Sequence, residues 1–214
     1  MNKATDKEGA SSTVTVELTR AQLFSRGVKG GAALLVAGSA ATLLAPAALA
    51  DPLSDNDLAY VRLLVGTELL GIDFYTRALD AKKLSSKGQK NLKAALLNEK
   101  EHYQSVAAIL SGAGLVPAVS ADIDFAYPKG SFDTASAITK LAARLEATFL
   151  GAYLGAVGGM QANTLLGGIG RIAANQAQHL SVFQNMLFGR PINVSFPQAM
   201  TIQEVSNVMD AFAA

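Results

Sequence analysis

Cysteine is absent from this chain of 214 residues. Its absence excludes disulfide bonds, thiolate nucleophiles, iron–sulfur clusters and zinc sites built from cysteine. Any metal ion must therefore be bound by oxygen ligands and by imidazole nitrogen. Imidazole is itself scarce, because His102 and His179 are the only two histidines in the sequence.

Charge is also scarce, since Asp, Glu, Lys and Arg make up 16% of the residues and the formal net charge is +1. Proteins that bind nucleic acids normally carry a clustered excess of Lys and Arg. No such cluster dominates this sequence, so a nucleic-acid partner is not expected. Hydrophobic residues make up 50% of the chain, which is enough for one core of ordinary size and predicts a single globular domain.

The first fifty residues have the organisation of a signal peptide. Residues 1–29 carry five basic and three acidic side chains, and an apolar stretch rich in Ala, Leu and Gly follows at 30–49. An Ala-Leu-Ala cleavage pattern ends at Ala50. We therefore predict that residues 1–50 are cleaved and that the mature protein is exported to the periplasm, the cell wall or the extracellular space.

Two alternatives stay open for this N-terminal segment. The run from Thr19 to Phe24 resembles a twin-arginine export signal, but Ala21 stands where the second arginine would be. Both the twin-arginine and the general secretory routes are therefore retained. An apolar stretch of about 20 residues can also span a bilayer, which makes an uncleaved anchor the alternative to cleavage. No second apolar span follows, so no stable membrane association is expected once the segment is removed.

Residues 51–214 show helical spacing of apolar residues almost throughout, which predicts a single all-α domain. Four long helices are predicted at about 55–80, 85–111, 134–157 and 163–187, with a short closing helix at about 201–212. The connection at 112–133 is long for a compact domain. A four-helix bundle needs such a crossover if its second and third helices are parallel.

Two features depart from the simple helical pattern. Near the start of the fourth helix stand Gly167, Gly168 and Gly170. Glycine is costly inside a helix, so these residues predict close backbone packing or a bend. In the tail, the short run from Ile192 to Phe196 has the clearest strand-like alternation in the domain.

Polar residues interrupt the apolar stripe of each long helix. Glu68, for example, lies four residues after Leu64 and four before Ile72, so its side chain is predicted to point into the core. The same spacing argument places six polar side chains in the core: Glu68, Glu99, His102, Glu146, Gln176 and His179. Buried carboxylates require a partner.

The two halves of the domain repeat this pattern. In each half, a glutamate is followed after seven residues by a tyrosine and after 30 or 31 residues by an E/Q-x-x-H pair: Glu68, Tyr75 and Glu99 in the first half, Glu146, Tyr153 and Gln176 in the second. One Glu from each of two helices, with an E-x-x-H pair from each of the other two, is the ligand set of a two-metal bundle. Carboxylate and imidazole suit iron and manganese. We therefore predict an iron or manganese site with one or two ions.

The two tyrosines of the repeat have two interpretations. Tyr75 and Tyr153 can hydrogen-bond the ligating carboxylates and so orient them. Alternatively, they are core tyrosines whose hydroxyl groups are satisfied elsewhere. The sequence leaves both interpretations open.

The motifs around these positions resemble the ferritin-like domain shared by bacterial exported proteins and plant desiccation-related proteins. The resemblance covers nearly all of residues 51–214 and rests on TELLGIDFY at 67–75, EKEH at 99–102, LE at 145–146, GAY at 151–153 and QAQH at 176–179. It implies a ferritin-like four-helix bundle whose metal site is formed by Glu68, Glu99, His102, Glu146 and His179. Members of the family resemble metal-binding or stress-associated proteins.

The chain departs from the family pattern at Gln176 and at Gly71, where glutamates are expected. An amide offers one good donor oxygen and no charge, so Gln176 cannot replace a bridging carboxylate well. Three glutamates then supply a charge of −3 against +4 for two divalent ions. We therefore expect the ion near His102 to be held more readily than the ion near His179, and the second ion to be doubtful.

The sequence thus predicts an exported metal-binding protein. Oxidase, ferroxidase or peroxide-consuming chemistry, or a stress-protective role, would follow from its metal, and whether it is an enzyme is left open. The alternative is a non-catalytic structural or desiccation-associated protein with a degenerate metal site, which Gln176 motivates. The expected partners are metal ions, with a homo-oligomer as an open option.

Overall fold

The computed structural model describes residues 52–192 and 194–213, and the predicted signal peptide lies outside them. Within these residues there are four long helices, one short helix and two single turns of 3-10 helix. Their bounds are α1 Asp55–Asp80, α2 Ser86–Gly112, α3 Ala135–Gly159, α4 Asn163–Phe188 and α5 Ile202–Met209, with the 3-10 turns at Ser120–Asp122 and Asp210–Phe212. The predicted all-α class and the predicted order of helices are confirmed.

Side-chain caps set the starts of the first three helices. In each case a hydroxyl oxygen accepts a hydrogen bond from the backbone N–H three residues later; the capping residues are Ser54, Ser85 and Thr134. Such a cap satisfies a free N–H of the first turn and typically contributes about 1 kcal/mol. Helix α4 ends at Gly189, whose φ of 65° is a left-handed conformation that glycine adopts without strain.

The connections between the helices define an antiparallel pair in each half. Five residues join α1 to α2 and three join α3 to α4, so the partners in each pair run in opposite directions. The long crossover starts at the far end of α2 and returns to the end of α1, where the Tyr127 hydroxyl donates to Asp73 Oδ2 at 2.9 Å. Helix α3 begins at that same end, so α2 and α3 are parallel, as the length of the crossover predicted.

The apolar core lies in two layers along the bundle. One layer contains Leu64, Ile109 and Ile169, and the other contains Phe74 and Phe149. Burial of a side chain of this size contributes about 1.5–3 kcal/mol. The polar residues predicted for the core lie between these layers, in the middle of the long helices.

The chain after α4 packs against α3 at two glycines, Gly151 and Gly155. The backbone N–H of Met200 donates to the Gly151 carbonyl at 2.9 Å, and a Cβ added to Gly155 would lie 1.9 Å from the Met200 carbonyl oxygen. Only glycine fits at Gly155. By contrast, an added Cβ at Gly167 or Gly170 meets nothing within 4 Å. Of the two explanations predicted for the glycines of α4, close packing is therefore wrong at these two positions, and a bend stays a prediction.

The tail shows no strand among its described residues. Ile192 and Phe196, the two ends of the run with strand-like alternation, are 89% and 93% exposed. Neither forms a β-bridge with another described residue. An isolated antiparallel bridge instead joins Phe125 of the crossover to Ala213. In the part of the chain that the structure describes, none of the helices has both the length and the hydropathy required to cross a bilayer.

Candidate metal centre

The six polar residues predicted for the core meet in the middle of the bundle. Four of them are 0% exposed: Glu68, Glu99, Glu146 and Gln176. His102 and His179 are 9% and 7% exposed, so the imidazole side of the cluster lies closest to solvent. Three carboxylates buried together are unfavourable unless protons or cations compensate their charge.

Two groups of metal-ligand type share Glu99. In the first group, His102 Nδ1 lies 3.5 Å from Glu68 Oε2 and 3.5 Å from Glu99 Oε2. In the second group, His179 Nδ1 lies 3.2 Å from Glu99 Oε1 and 3.3 Å from Glu146 Oε1. Each oxygen of Glu99 therefore belongs to a different group, which is the arrangement of a carboxylate that can bridge two ions.

The spacing and the bonding of these atoms fit a cation. Ligands that coordinate one ion at about 2.0–2.2 Å and at right angles lie about 3 Å apart. Among the described residues, five nitrogen and oxygen atoms of the two groups are buried without a hydrogen-bond partner: Glu68 Oε2, Glu99 Oε1, His102 Nδ1, Glu146 Oε2 and His179 Nδ1. Buried polar atoms without partners are rare. A coordinated metal ion would satisfy them, so the donor set is suited to one.

Gln176 contacts the cluster through its amide nitrogen. Nε2 donates to Glu99 Oε2 at 3.1 Å, and Oε1 is buried without a hydrogen-bond partner among the described residues. Gly71 borders the same carboxylate, because an added Cβ would lie 3.3 Å from Glu99 Cγ. Both positions at which a glutamate was expected therefore adjoin Glu99, and neither supplies a carboxylate.

Two buried tyrosines connect the halves of the repeat. The Tyr75 hydroxyl on α1 donates to Glu146 Oε1 on α3, and the Tyr153 hydroxyl on α3 donates to Glu68 Oε1 on α1 at 2.5 Å. For Glu68, this bond occupies one oxygen and leaves the other facing His102. Of the two interpretations of these tyrosines, the structure agrees with hydrogen bonding to the site carboxylates.

Burial dominates the acid–base behaviour of the carboxyl groups. It raises the pKa of Glu68 well above the ordinary value, and the charge of Glu99 adds to this effect. Burial and the Glu99 charge likewise raise the pKa of Glu146 to about 7. Burial also favours the neutral form of Glu99, but its interactions with Glu68 and the two histidines outweigh burial and lower its pKa. Glu99 is therefore the group most firmly held as a carboxylate.

Burial has the opposite effect on the pKa of an imidazole, because the protonated form is the charged one. Burial lowers the pKa of a histidine, but interactions with the facing carboxylates outweigh burial and raise the pKa of both His102 and His179 to about 10. Burial and the neighbouring carboxylate charges raise the pKa of Tyr75 and Tyr153 well above 10.0, so both tyrosines stay neutral donors. A metal ion must displace protons from the imidazoles, because a ligating nitrogen is unprotonated.

One asparagine that contacts the site was missed in the sequence, and a second stands at the matching position of the repeat. Asn98 Nδ2 lies 2.9 Å from His179 Nε2 on the facing helix. Asn175 has a buried Oδ1 without a hydrogen-bond partner among the described residues. The signal was present in the repeat, because each asparagine precedes a histidine by four residues in the pattern Asn-Glu/Gln-x-x-His, ending at His102 in one half and at His179 in the other.

Comparison with known families gives a match that covers the four long helices. A family model described as a ferritin-like domain matches residues 56–189. This range runs from the first turn of α1 to the residue that ends α4, and every residue of the candidate site lies within it. No curated protein matches the sequence.

Proposed function

The chain belongs to the ferritin-like domain family, and on that premise we propose that its bundle core binds iron or manganese in two adjoining positions. The observation that carries the proposal is the pair of buried Glu/Glu/His groups that share Glu99. Carboxylate and imidazole donors without thiolates suit these two metals. Glu68 and His102 complete the first position, and Glu146 and His179 complete the second.

Gln176 limits how completely the two positions fill. The sequence predicted that the ion beside His102 is held more readily, because Gln176 was assigned to the side of His179. The amide nitrogen instead donates to Glu99 Oε2, the oxygen that faces His102. The cluster therefore has no carboxylate at position 176. In addition, the Gln176 amide hydrogen-bonds the Glu99 oxygen that faces His102. We propose that the wild-type protein fills its second position only at a higher metal concentration than its first.

A bound iron or manganese ion supplies electron exchange with dioxygen or peroxide, and oxidase, ferroxidase or peroxide-consuming chemistry is proposed on that basis. Removal of peroxide or of free iron would account for a stress-protective role. The protein contributes a cluster sealed at both ends by apolar layers. Tyr75 and Tyr153 hold carboxylates in place.

Metal content tests the proposal. The full chain is expressed with added Fe²⁺ or Mn²⁺, purified and analysed for bound metal. We expect Glu99→Gln to lose both positions, and His102→Gln and His179→Gln to lose one each. Glu101→Gln is the matched control, because Glu101 lies on the same helix and is exposed. A wild-type protein without bound metal, or a Glu99→Gln protein with as much metal as wild type, would overturn the proposal.

The second candidate function is a structural or stress-associated protein that holds no metal. The hydrogen bond from Gln176 to Glu99 favours it, because together with charged imidazoles it can compensate the buried carboxylates. For such a protein the melting temperature responds neither to a chelator nor to added Mn²⁺. Ligand at 100 times its Kd stabilises a folded protein by about 2.7 kcal/mol. A stabilisation of this kind that disappears in the Glu68→Gln, His102→Gln double variant excludes the metal-free function.

We also propose that the protein is exported and that its signal peptide is removed after Ala50. The proposal is supported by the basic segment, the apolar stretch and the cleavage pattern of residues 1–50. Expression of the full chain in a bacterial host, followed by fractionation and N-terminal sequencing, tests it. We expect a soluble exported form that begins at Asp51. An intact chain in the membrane fraction would instead establish the uncleaved anchor.

A further inference from the structure

A hydrogen bond between α2 and α4 involves the ring nitrogen of His179 that faces away from the candidate metal site. Asn98 on α2 places Nδ2 2.9 Å from Nε2 of His179 on α4. The other ring nitrogen, His179 Nδ1, faces the site at 3.2 Å from Glu99 Oε1 and 3.3 Å from Glu146 Oε1. Asn98 therefore contacts His179 on the side opposite to the metal position.

The partner of one imidazole nitrogen decides the state of the other. Nδ1 can coordinate a metal ion only if it is unprotonated, so a neutral ring must carry its proton on Nε2. Nε2–H then needs an acceptor, as it also does in a doubly protonated ring. An amide oxygen can accept this proton, whereas an amide nitrogen cannot. Asn98 is the side chain that contacts Nε2, so its amide is placed to hold the ring through this nitrogen.

We propose that Asn98 is the positioning residue for His179. Its hydrogen bond to Nε2 at 2.9 Å holds the ring with Nδ1 towards Glu99 and Glu146. When Nδ1 coordinates a metal ion, Nε2 carries the ring proton, and the amide oxygen of Asn98 is the acceptor within reach. Oδ1 and Nδ2 have nearly the same size, so a half turn about the terminal bond exchanges them without repacking. The inference rests on the proposed metal site.

Mn²⁺ binding to the full chain, measured by equilibrium dialysis, tests this role. We expect Asn98→Leu to weaken binding at the His179 position about 10- to 100-fold and to leave the His102 position unchanged. Asn98→Asp retains an oxygen acceptor and should bind at least as tightly as wild type. Asn91→Leu is the control, because Asn91 also reaches α4, with Nδ2 3.7 Å from Met186 Sδ. If the leucine variant does not fold, Asn98→Ala gives the same comparison without added bulk.

A spectroscopic measurement separates positioning from packing. In ¹⁵N-histidine spectra recorded with Zn²⁺ as a diamagnetic probe, wild type and Asn98→Asp should show His179 protonated at Nε2, and Asn98→Leu should lose that signal. Equal Mn²⁺ affinity in wild type and Asn98→Leu overturns the inference while the metal site stands. Equal weakening in Asn91→Leu also overturns it, because the loss then belongs to helix packing. A wild type that binds no Mn²⁺ overturns the metal site and this inference together.

Discussion

Tyr153 on α3 donates its hydroxyl proton to Glu68 Oε1 on α1 at 2.5 Å, and both side chains are fully buried. Tyr75 on α1 makes the reciprocal contact with Glu146 on α3. The repeat in the sequence places each tyrosine seven residues after the glutamate of its own half, but each hydroxyl bonds to the glutamate of the other half. These crossed bonds link the two antiparallel pairs of helices at the level of the candidate site.

Removal of one crossed bond should destabilise the fold. We expect Tyr153→Phe to lower the free energy of unfolding by about 1–3 kcal/mol, the range for a buried polar atom that loses its hydrogen-bond partner. Urea denaturation of metal-free protein measures this value. Tyr103→Phe is the control, since the Tyr103 hydroxyl donates to the neutral Ala118 carbonyl at 2.8 Å and should cost only about 0.5–1.5 kcal/mol. An equal loss in both variants would contradict a special role for the crossed bond.

Gln176→Glu should lower the stability of the metal-free protein and increase the amount of bound metal. The new carboxylate replaces a donor at 3.1 Å from Glu99 Oε2, so we expect the metal-free variant to lose about 1–3 kcal/mol. With Mn²⁺ the same carboxylate is a ligand, and the bound metal should rise to two ions per chain. Denaturation with and without Mn²⁺ and elemental analysis measure both effects. The exposed Gln178 on the same helix provides the control Gln178→Glu, which should change neither quantity.

Stability of the metal-free protein should fall as the pH rises. The folded-state pKa of Glu146 is raised to about 7 from 4.5, and those of both histidines are raised to about 10 from 6.5. The folded state therefore binds more protons than the unfolded state between pH 4.5 and 10, so the free energy of unfolding decreases over that interval. The slope is about 1.4 kcal/mol per pH unit for each excess proton.

Melting temperatures recorded with a chelator between pH 5 and 10 measure this slope. The His102→Gln, His179→Gln double variant should reduce the slope between pH 7 and 10, because the two histidines that hold excess protons in the folded state over that interval are gone. Bound Mn²⁺ should oppose the decline, since metal binding requires deprotonated ligands and strengthens with pH. A wild-type melting temperature that rises from pH 6 to 9 without metal would contradict the assigned pKa directions.

Gly155→Ala should disturb the docking of the tail on α3. The added Cβ would lie 1.9 Å from the Met200 carbonyl oxygen, so the tail backbone must move, at a cost of about 1–3 kcal/mol. Gly167→Ala is the control, because its Cβ meets nothing within 4 Å and alanine favours a helix by about 0.5–1 kcal/mol. Thermal melting should give opposite signs for the two variants, and limited proteolysis should cut the tail faster in Gly155→Ala only.

Much of the fold was predictable because its causes are local. Ser54, Ser85 and Thr134 cap helices at the predicted starts, and each acts on a backbone N–H only three residues away. The glycines show the limit of such reasoning. Gly167 and Gly155 have the same local cost in a helix, and only the position of Met200 makes one of them necessary.

The candidate site was predictable as a set of residues but not as a set of contacts. Helical spacing identified the buried Glu68 and Glu99, because side chains three or four residues apart lie on one face. Asn98 was missed because it stands beside that face, and its partner His179 is 81 residues away. Nothing in the spacing within α2 indicates which helix lies opposite.

The sequence by itself determined the helices, the long crossover and the identity of the buried polar residues, since periodicity and capping act over a few residues. The tertiary structure decided which atoms meet. It assigned the two oxygens of Glu99 to different histidines, crossed the tyrosine bonds between halves and turned the Gln176 nitrogen towards Glu99. Apart from the contact of Glu99 with His102 on the same helix, these contacts join residues 71 to 85 positions apart. Their geometry depends on how the helices rotate and pack against one another.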